Sequence, residues 1–140
     1  MSISESKKAK LAAMALEARD ASYCPYSGFS VGAALLTSDG RVYTGANIEN
    51  ASYTPTVCAE RVAFFKAISA GERDFAAIAI AGGKHGEGAN SYTPPCGVCR
   101  QVMAEFCSES FEVIFASDSG YITKTLASIL PFGFNKENLV

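Results

Sequence analysis

The chain has no long apolar run, no excess of basic residues and a single histidine, and each shortage excludes something. A bilayer-spanning helix needs about 18 or more consecutive apolar residues, and no stretch offers them. Lys7, Lys8 and Lys10 lie near the start, but no apolar segment follows them in the manner of a secretory signal; Leu11, Met14, Ala15 and Ala18 mark one face of a helix instead. A formal net charge of -2 gives no basic field for DNA or RNA, so neither nucleic acid nor membrane is expected as a partner, and a small neutral substrate fits better. The glycine-rich stretch Gly82 to Gly88 lacks the Gly-Lys-Ser/Thr ending of a phosphate loop and does not open directly into a helix. His85 lies in that stretch and is expected to be exposed, with no ligand role required of it.

What remains is a 140-residue chain, 49% hydrophobic and 19% charged, enough to bury one core; a single domain over residues 1–140 is expected. With no export signal, the five cysteines are expected to be reduced in the cytoplasm, where cysteine spacing reports metal binding or catalysis more often than disulfides. After the first helix, Phe29 to Leu36 reads as a buried strand. Asp39-Gly40 then marks a hairpin, returning over Arg41 to Ala46. Cys58 to Ala70 is helical, with Val62, Phe65 and Ser69 on one stripe and Gly71 as a stop. Phe75 to Ala81 is a strand, Cys96 to Phe106 a helix introduced by Pro94-Pro95, Phe111 to Ala116 another strand, and Tyr121 to Thr123 an edge strand. Leu126 to Leu130 gives a last helical turn or two. Helices alternating with strands after a hairpin predict an α/β domain whose mixed sheet, of about five strands, is covered on both faces.

Cys96-Gly97-Val98-Cys99 supplies two thiols three positions apart, on one face of a helix. Cys58 is the third candidate, and it too opens a helix, where the N-terminal field favours the thiolate. Three protein ligands with a fourth position left for water describe a catalytic zinc. Glu60, two residues beyond Cys58, sits where a general acid/base must be to meet that water. Three thiolates would leave the zinc complex formally at -1, and Arg61 is placed to offset this by donating to a sulfur; a surface ion pair is the plainer alternative. Plainer readings exist for the others as well. Cys24 and Cys107 are expected to be small buried hydrophobes, and Glu60 alone would be an ordinary solvated helix residue.

These segments, Thr56-Val57-Cys58-Ala59-Glu60-Arg61 and Pro94-Pro95-Cys96-Gly97-Val98-Cys99-Arg100-Gln101, resemble the zinc deaminase signature in its all-cysteine form. The likeness to the cytidine deaminase family runs from Tyr26-Ser27-Gly28-Phe29 through Gly45 to Tyr53 and on to Leu130-Pro131-Phe132-Gly133-Phe134. It is the small homotetrameric branch acting on free nucleosides that the chain is similar to. The resemblance implies a three-layer α/β/α fold and one zinc per chain. It further implies hydrolysis of cytidine and deoxycytidine to uridine and deoxyuridine plus ammonia, in pyrimidine salvage. By the same resemblance Asn47 and Glu49 bind the ribose 3′-hydroxyl, Phe29 lines the pyrimidine pocket and Phe134 stacks on the base from a neighbouring subunit. The Ala59 amide holds the cytosine O2, the Pro94 carbonyl accepts from the departing amino group, and Tyr53 reaches a neighbouring subunit's site. Pro94 stands where the family commonly has Ser, a change that keeps the carbonyl. Thr54-Pro55-Thr56 also departs from the usual connection and leaves the path into Cys58 open.

Three rival readings share parts of this pattern. A deaminase of aminonucleoside antibiotics would share the zinc motif, but Asn47-Ile48-Glu49-Asn50 argues against it. A closed structural zinc with His85 or Cys24 as fourth ligand leaves Glu60 unexplained. A thiol oxidoreductase using Cys96 and Cys99 leaves Cys58 idle.

Overall fold

A computed structural model describes residues 2–139. Helix α1 (Glu5–Ala18) starts at Ser4, whose hydroxyl accepts from the Lys7 N–H at 3.3 Å and satisfies one of the first-turn donors. Strands β1 (Phe29–Thr37) and β2 (Val42–Ala46) form the hairpin expected from Asp39-Gly40. Gly40 takes φ +95° in the turn, a region that side chains avoid. Then follow α2 (Ala59–Ser69), β3 (Phe75–Lys84), α3 (Gly97–Phe106), β4 (Glu112–Ser117), β5 (Gly120–Thr125) and the short α4 (Leu126–Ile129). The five strands form one sheet in the order β2-β1-β3-β4-β5. Among the described strands only the β3–β4 pair is parallel, and α3 is its crossover.

Alternation along the strands sends side chains to two cores. On one face, Ala33, Leu35, Ile78, Ile80, Val113 and Phe115 pack against Ala63 and Phe64 of α2, Met103 of α3 and Leu126 of α4. On the other, Ala34, Leu36, Ala77, Ala79, Ile114 and Ala116 pack against Leu11, Ala12 and Ala15 of α1. The result is the three-layer α/β/α arrangement.

Two local expectations are corrected. The buried face of α2 is Ala59, Glu60, Ala63, Phe64 and Ala67, whereas Phe65 is 48% exposed: small residues let the helix lie close on the sheet, and Phe64 fills the space beside them. Strand β3 runs on through Gly82, Gly83 and Lys84, because these pair with Val31, Ser30 and Phe29. Lys8 of α1 is buried as well, its ammonium 3.1 Å from Glu112 and 3.5 Å from Glu5.

Topology collects the chemistry at one end. The register Phe29↔Lys84 puts the start of β1 beside the end of β3, and Gly32↔Ala46 puts the end of β2 there too. Because α3 returns antiparallel to β3, its N-terminus rises at the carboxyl ends of β3 and β4, where open α/β sheets place their ligands.

Candidate active site

Cys58 and Cys96 are the N-cap residues of α2 and α3, and Cys99 is buried one turn into α3. The Sγ atoms of Cys58 and Cys96 are 3.7 Å apart, those of Cys96 and Cys99 3.4 Å, and all three lie within 4.8 Å of one another. A tetrahedral zinc with bonds of about 2.3 Å to sulfur spaces its sulfurs about 3.8 Å apart, so the trio fits zinc in both donor type and spacing. Three ligands leave the fourth position that a catalytic zinc needs.

The local electrostatics favour a thiolate. The Cys99 thiol, the Arg61 guanidinium and the Cys96 thiol all hydrogen-bond the Cys58 sulfur, and together they outweigh its burial and lower it to about 5. Cys99, which gives its proton to that bond and is desolvated, is held far above the ordinary thiol range. Arg61 Nη2 donates to Cys58 Sγ at 3.4 Å, the contact expected from its place in the sequence, while its buried Nε has no partner among the described residues.

Glu60 lies in the first turn of α2 and is only 4% exposed. Burial, reinforced by the neighbouring Cys58 charge, pushes its carboxyl up to about 7, where a group both takes and gives protons near neutrality. Ala59, fully buried, is the first residue of α2. Its N–H is among the four that an α-helix leaves without an internal acceptor. Neither Cys58 nor Cys96 caps its helix with a side-chain hydrogen bond, so these two side chains do not take up the first-turn amides.

Two polar side chains flank Ile48, which bridges to Val57 just before Cys58. Asn47, buried just after β2, accepts at Oδ1 from the Val31 N–H (2.9 Å) and the Ser22 hydroxyl (2.6 Å), and donates from Nδ2 to the Phe29 carbonyl (2.9 Å). These contacts use one of its two Nδ2 protons. The Glu49 carboxylate accepts from the main-chain N–H groups of Tyr26 (3.0 Å) and Ser27 (3.1 Å) and from the Ser27 hydroxyl. The Ser27 hydroxyl above all, with those amides, holds it below the usual carboxylate range against its partial burial. Glu49 lines a cleft of about 360 Å³ with Tyr26, Ser27, Tyr53 and Thr56. Towards a further partner Asn47 therefore has a proton to give, and Glu49 can only accept.

The remaining expected residues are more open. Phe29 stands at the mouth of β1, 38% exposed. Pro94 is exposed in the connection to α3, which Arg100 steadies by donating from Nε to the Pro95 carbonyl at 2.8 Å. Tyr53 is 72% exposed with φ +64°, edge-on to Tyr26 at 6.4 Å. Phe134 is 59% exposed, its carbonyl accepting from Gln101 Nε2 at 2.7 Å. The path into Cys58 is also fixed: Ile48 and Val57 exchange main-chain hydrogen bonds in an isolated antiparallel bridge, which returns the Thr54-Pro55-Thr56 loop to the sheet end. Ser22, Ser27 and Arg100 were not singled out from the sequence. For Ser27 the signal lay in its place within Tyr26-Ser27-Gly28-Phe29; Ser22 and Arg100 have partners far along the chain.

Residues 5–116 match the family described as the cytidine and deoxycytidylate deaminase zinc-binding region. A cytidine deaminase of Sporosarcina psychrophila is 50% identical over 131 residues, 93% of each chain. One from Halalkalibacterium halodurans is 49% identical, over 89% of this chain and 92% of its own. Among solved structures, the cytidine deaminase of Burkholderia pseudomallei superposes with a TM-score of 0.80 at 41% identity, covering 94% of this chain and all of that one. The thiol trio, the buried carboxyl beside it and these likenesses agree, and the chain belongs to the cytidine and deoxycytidylate deaminase zinc-binding family.

Proposed function

We infer that this chain catalyses zinc-dependent hydrolytic deamination of cytidine and deoxycytidine, with Cys58, Cys96 and Cys99 holding one zinc and Glu60 carrying the protons. The observation that carries this is a carboxyl buried two residues from a three-thiol cluster whose spacing suits zinc. When bound, zinc supplies the Lewis acidity that brings a water's pKa towards neutrality. The reaction then needs a water oxygen delivered to C4, a proton delivered to N3 and another to the amino group, which leaves as ammonia. Glu60 is suited to take the water's proton, protonate N3 and pass a proton to the leaving amine, since its burial holds the carboxyl where both directions are open.

The other residues bind and orient. The Ala59 N–H, at the head of α2, is a donor for the cytosine O2, and the Pro94 carbonyl is an acceptor for the amino group. Asn47 donates to the sugar 3′-hydroxyl and Glu49 accepts from it, which suits a group that can do both. Phe29 lines the pyrimidine pocket. Tyr53 and Phe134, exposed on this chain, complete neighbouring subunits' pockets in a homotetramer. Arg61 offsets the negative charge of the thiolates. A cytoplasmic place in pyrimidine salvage accords with five free cysteines, three of them required as metal ligands.

The decisive assay follows loss of the cytosine absorbance band with cytidine, with zinc measured on the same sample. Glu60→Gln is expected to retain zinc and fold while kcat falls by about 10²–10⁴. Near-normal turnover in that variant would remove Glu60 from the mechanism.

A further inference from the structure

A carboxylate on a glutamate side chain has a soft final torsion, so two hydrogen bonds to one of its oxygens do not fix the other. In Glu49 the two main-chain donors, Tyr26 N–H and Ser27 N–H, both go to Oε1. Oε2 is reached by the Ser27 hydroxyl. That hydroxyl is itself fixed, because its oxygen accepts from the Phe29 N–H at 3.0 Å. A serine hydroxyl has one proton to give; with the Phe29 amide at the oxygen, the proton is directed at Glu49. The chain of contacts runs from the first residue of β1 through Ser27 to the carboxylate that faces the cleft.

We propose that Ser27 is a positioning residue for nucleoside recognition: its hydroxyl clamps Oε2 of Glu49 and so sets the angle at which that carboxylate meets the sugar 3′-hydroxyl. This rests on the reading that Glu49 binds the sugar. Ser27 touches no reacting atom, and the part of its effect that passes through Glu49 is confined to the sugar 3′-hydroxyl, whereas the Phe29 N–H, from which its oxygen accepts, bears on the pyrimidine pocket of both substrates alike. Losing the clamp leaves the carboxylate hinged on Oε1, still charged and still near, but free to turn. A substrate without the 3′-hydroxyl has nothing to lose from that freedom.

The test is a cycle of enzyme and substrate using wild type, Ser27→Ala and Ser27→Thr, each loaded with zinc, on deoxycytidine and 2′,3′-dideoxycytidine. A hydrogen bond to a charged group is worth about a tenfold change in kcat/KM on deoxycytidine, expressed in KM rather than kcat. On 2′,3′-dideoxycytidine, Ser27→Ala is expected to lose clearly less than on deoxycytidine, the difference being the share that passes through Glu49, and Ser27→Thr, which keeps the hydroxyl for both Glu49 and the Phe29 N–H, to match wild type on both. Equal losses on the two substrates, or none on deoxycytidine, would overturn the proposal while leaving the sugar contact intact, provided wild type itself prefers deoxycytidine. If wild type treats the two substrates alike, the sugar contact of Glu49 fails and the role of Ser27 fails with it.

Discussion

Gly45 lies in β2 directly under the first turn of α2, and replacing it tests whether the close approach of that helix sets the active site. A methyl group at this position would stand 2.4 Å from the Ala59 carbonyl oxygen, 2.7 Å from the Ala63 nitrogen and 3.1 Å from the Val62 Cβ. Two of these neighbours are main chain, so rotamer changes cannot relieve the clash. Ordinary contact begins near 3.4 Å, so the N-terminal part of α2 must lift from the sheet by about 1 Å, carrying Cys58, Ala59 and Glu60 with it. Overpacking of this kind costs about 1–3 kcal/mol, or roughly 4–12 °C in Tm for a domain of this size. A misplacement of about 1 Å at reacting groups costs about 10² in rate.

Gly32→Ala supplies the control. Its methyl would meet the Ala15 carbonyl oxygen at 2.1 Å and the Arg19 nitrogen at 2.6 Å, displacing α1 on the opposite face, and α1 carries no expected site residue. Both variants are expected to melt earlier by comparable amounts. Only Gly45→Ala is expected to lose about 10² in kcat, read by the absorbance assay on zinc-loaded protein well below Tm, with zinc content checked. Equal loss of kcat in both variants, or full activity in a folded Gly45→Ala, would refute the claim that the β2–α2 approach positions the chemistry.

The Lys8–Glu112 pair predicts a pH dependence of stability. Burial alone would raise the Glu112 carboxyl, but the Ile3 N–H and the Lys8 ammonium outweigh it and hold it below the usual range. A lowered folded-state pKa contributes stability that is present above the unfolded value, about 4.3, and is lost as pH falls through the lower folded one. Tm of Glu112→Gln is accordingly expected to fall less than wild type on acidification through that window, and parallel curves would refute the linkage. Light scattering on the zinc-loaded protein is expected to show a homotetramer; an active monomer would refute the sharing of Tyr53 and Phe134 between subunits.

Much of the site was legible in the sequence because it is written in short spacings. Cys96 and Cys99 are three apart, Glu60 is two from Cys58, and both segments open helices, so local geometry alone constrains them. The hairpin was legible for the same reason, since Asp39-Gly40 acts within its own turn. What escaped depends on partners far along the chain. Nothing near Lys8 in the sequence marks it for burial; its partner Glu112 lies far along the chain. Gly82 and Gly83 read as loop because glycine has no strand preference, yet β1 pairs with them. The buried face of α2 was misread because alanines at 59, 63 and 67 carry little hydrophobic signal, although their smallness is what permits the approach over Gly45. The serines that orient Asn47 and Glu49 look like ordinary loop polarity until their acceptors are seen.

The same close approaches explain how a site rich in negative charge is tolerated. Three thiolates on a divalent zinc leave a formal charge of -1, and Glu60 adds another carboxyl to a buried setting. Against these stand the N-termini of α2 and α3, each equivalent to roughly +0.5 charge, and Arg61, whose Nη2 reaches the Cys58 sulfur. The two helix ends require no further side chains, because Cys58 and Cys96 are themselves the N-cap residues. A serine or aspartate in either place would take up first-turn amides with its own oxygen. Cysteine leaves them uncapped, so one choice of residue provides the metal ligand and also leaves the helix field and the first-turn N–H groups free of a side-chain cap. That is why the ligand positions and the helix starts coincide, and why a shift of α2 should disturb proton transfer and substrate binding together.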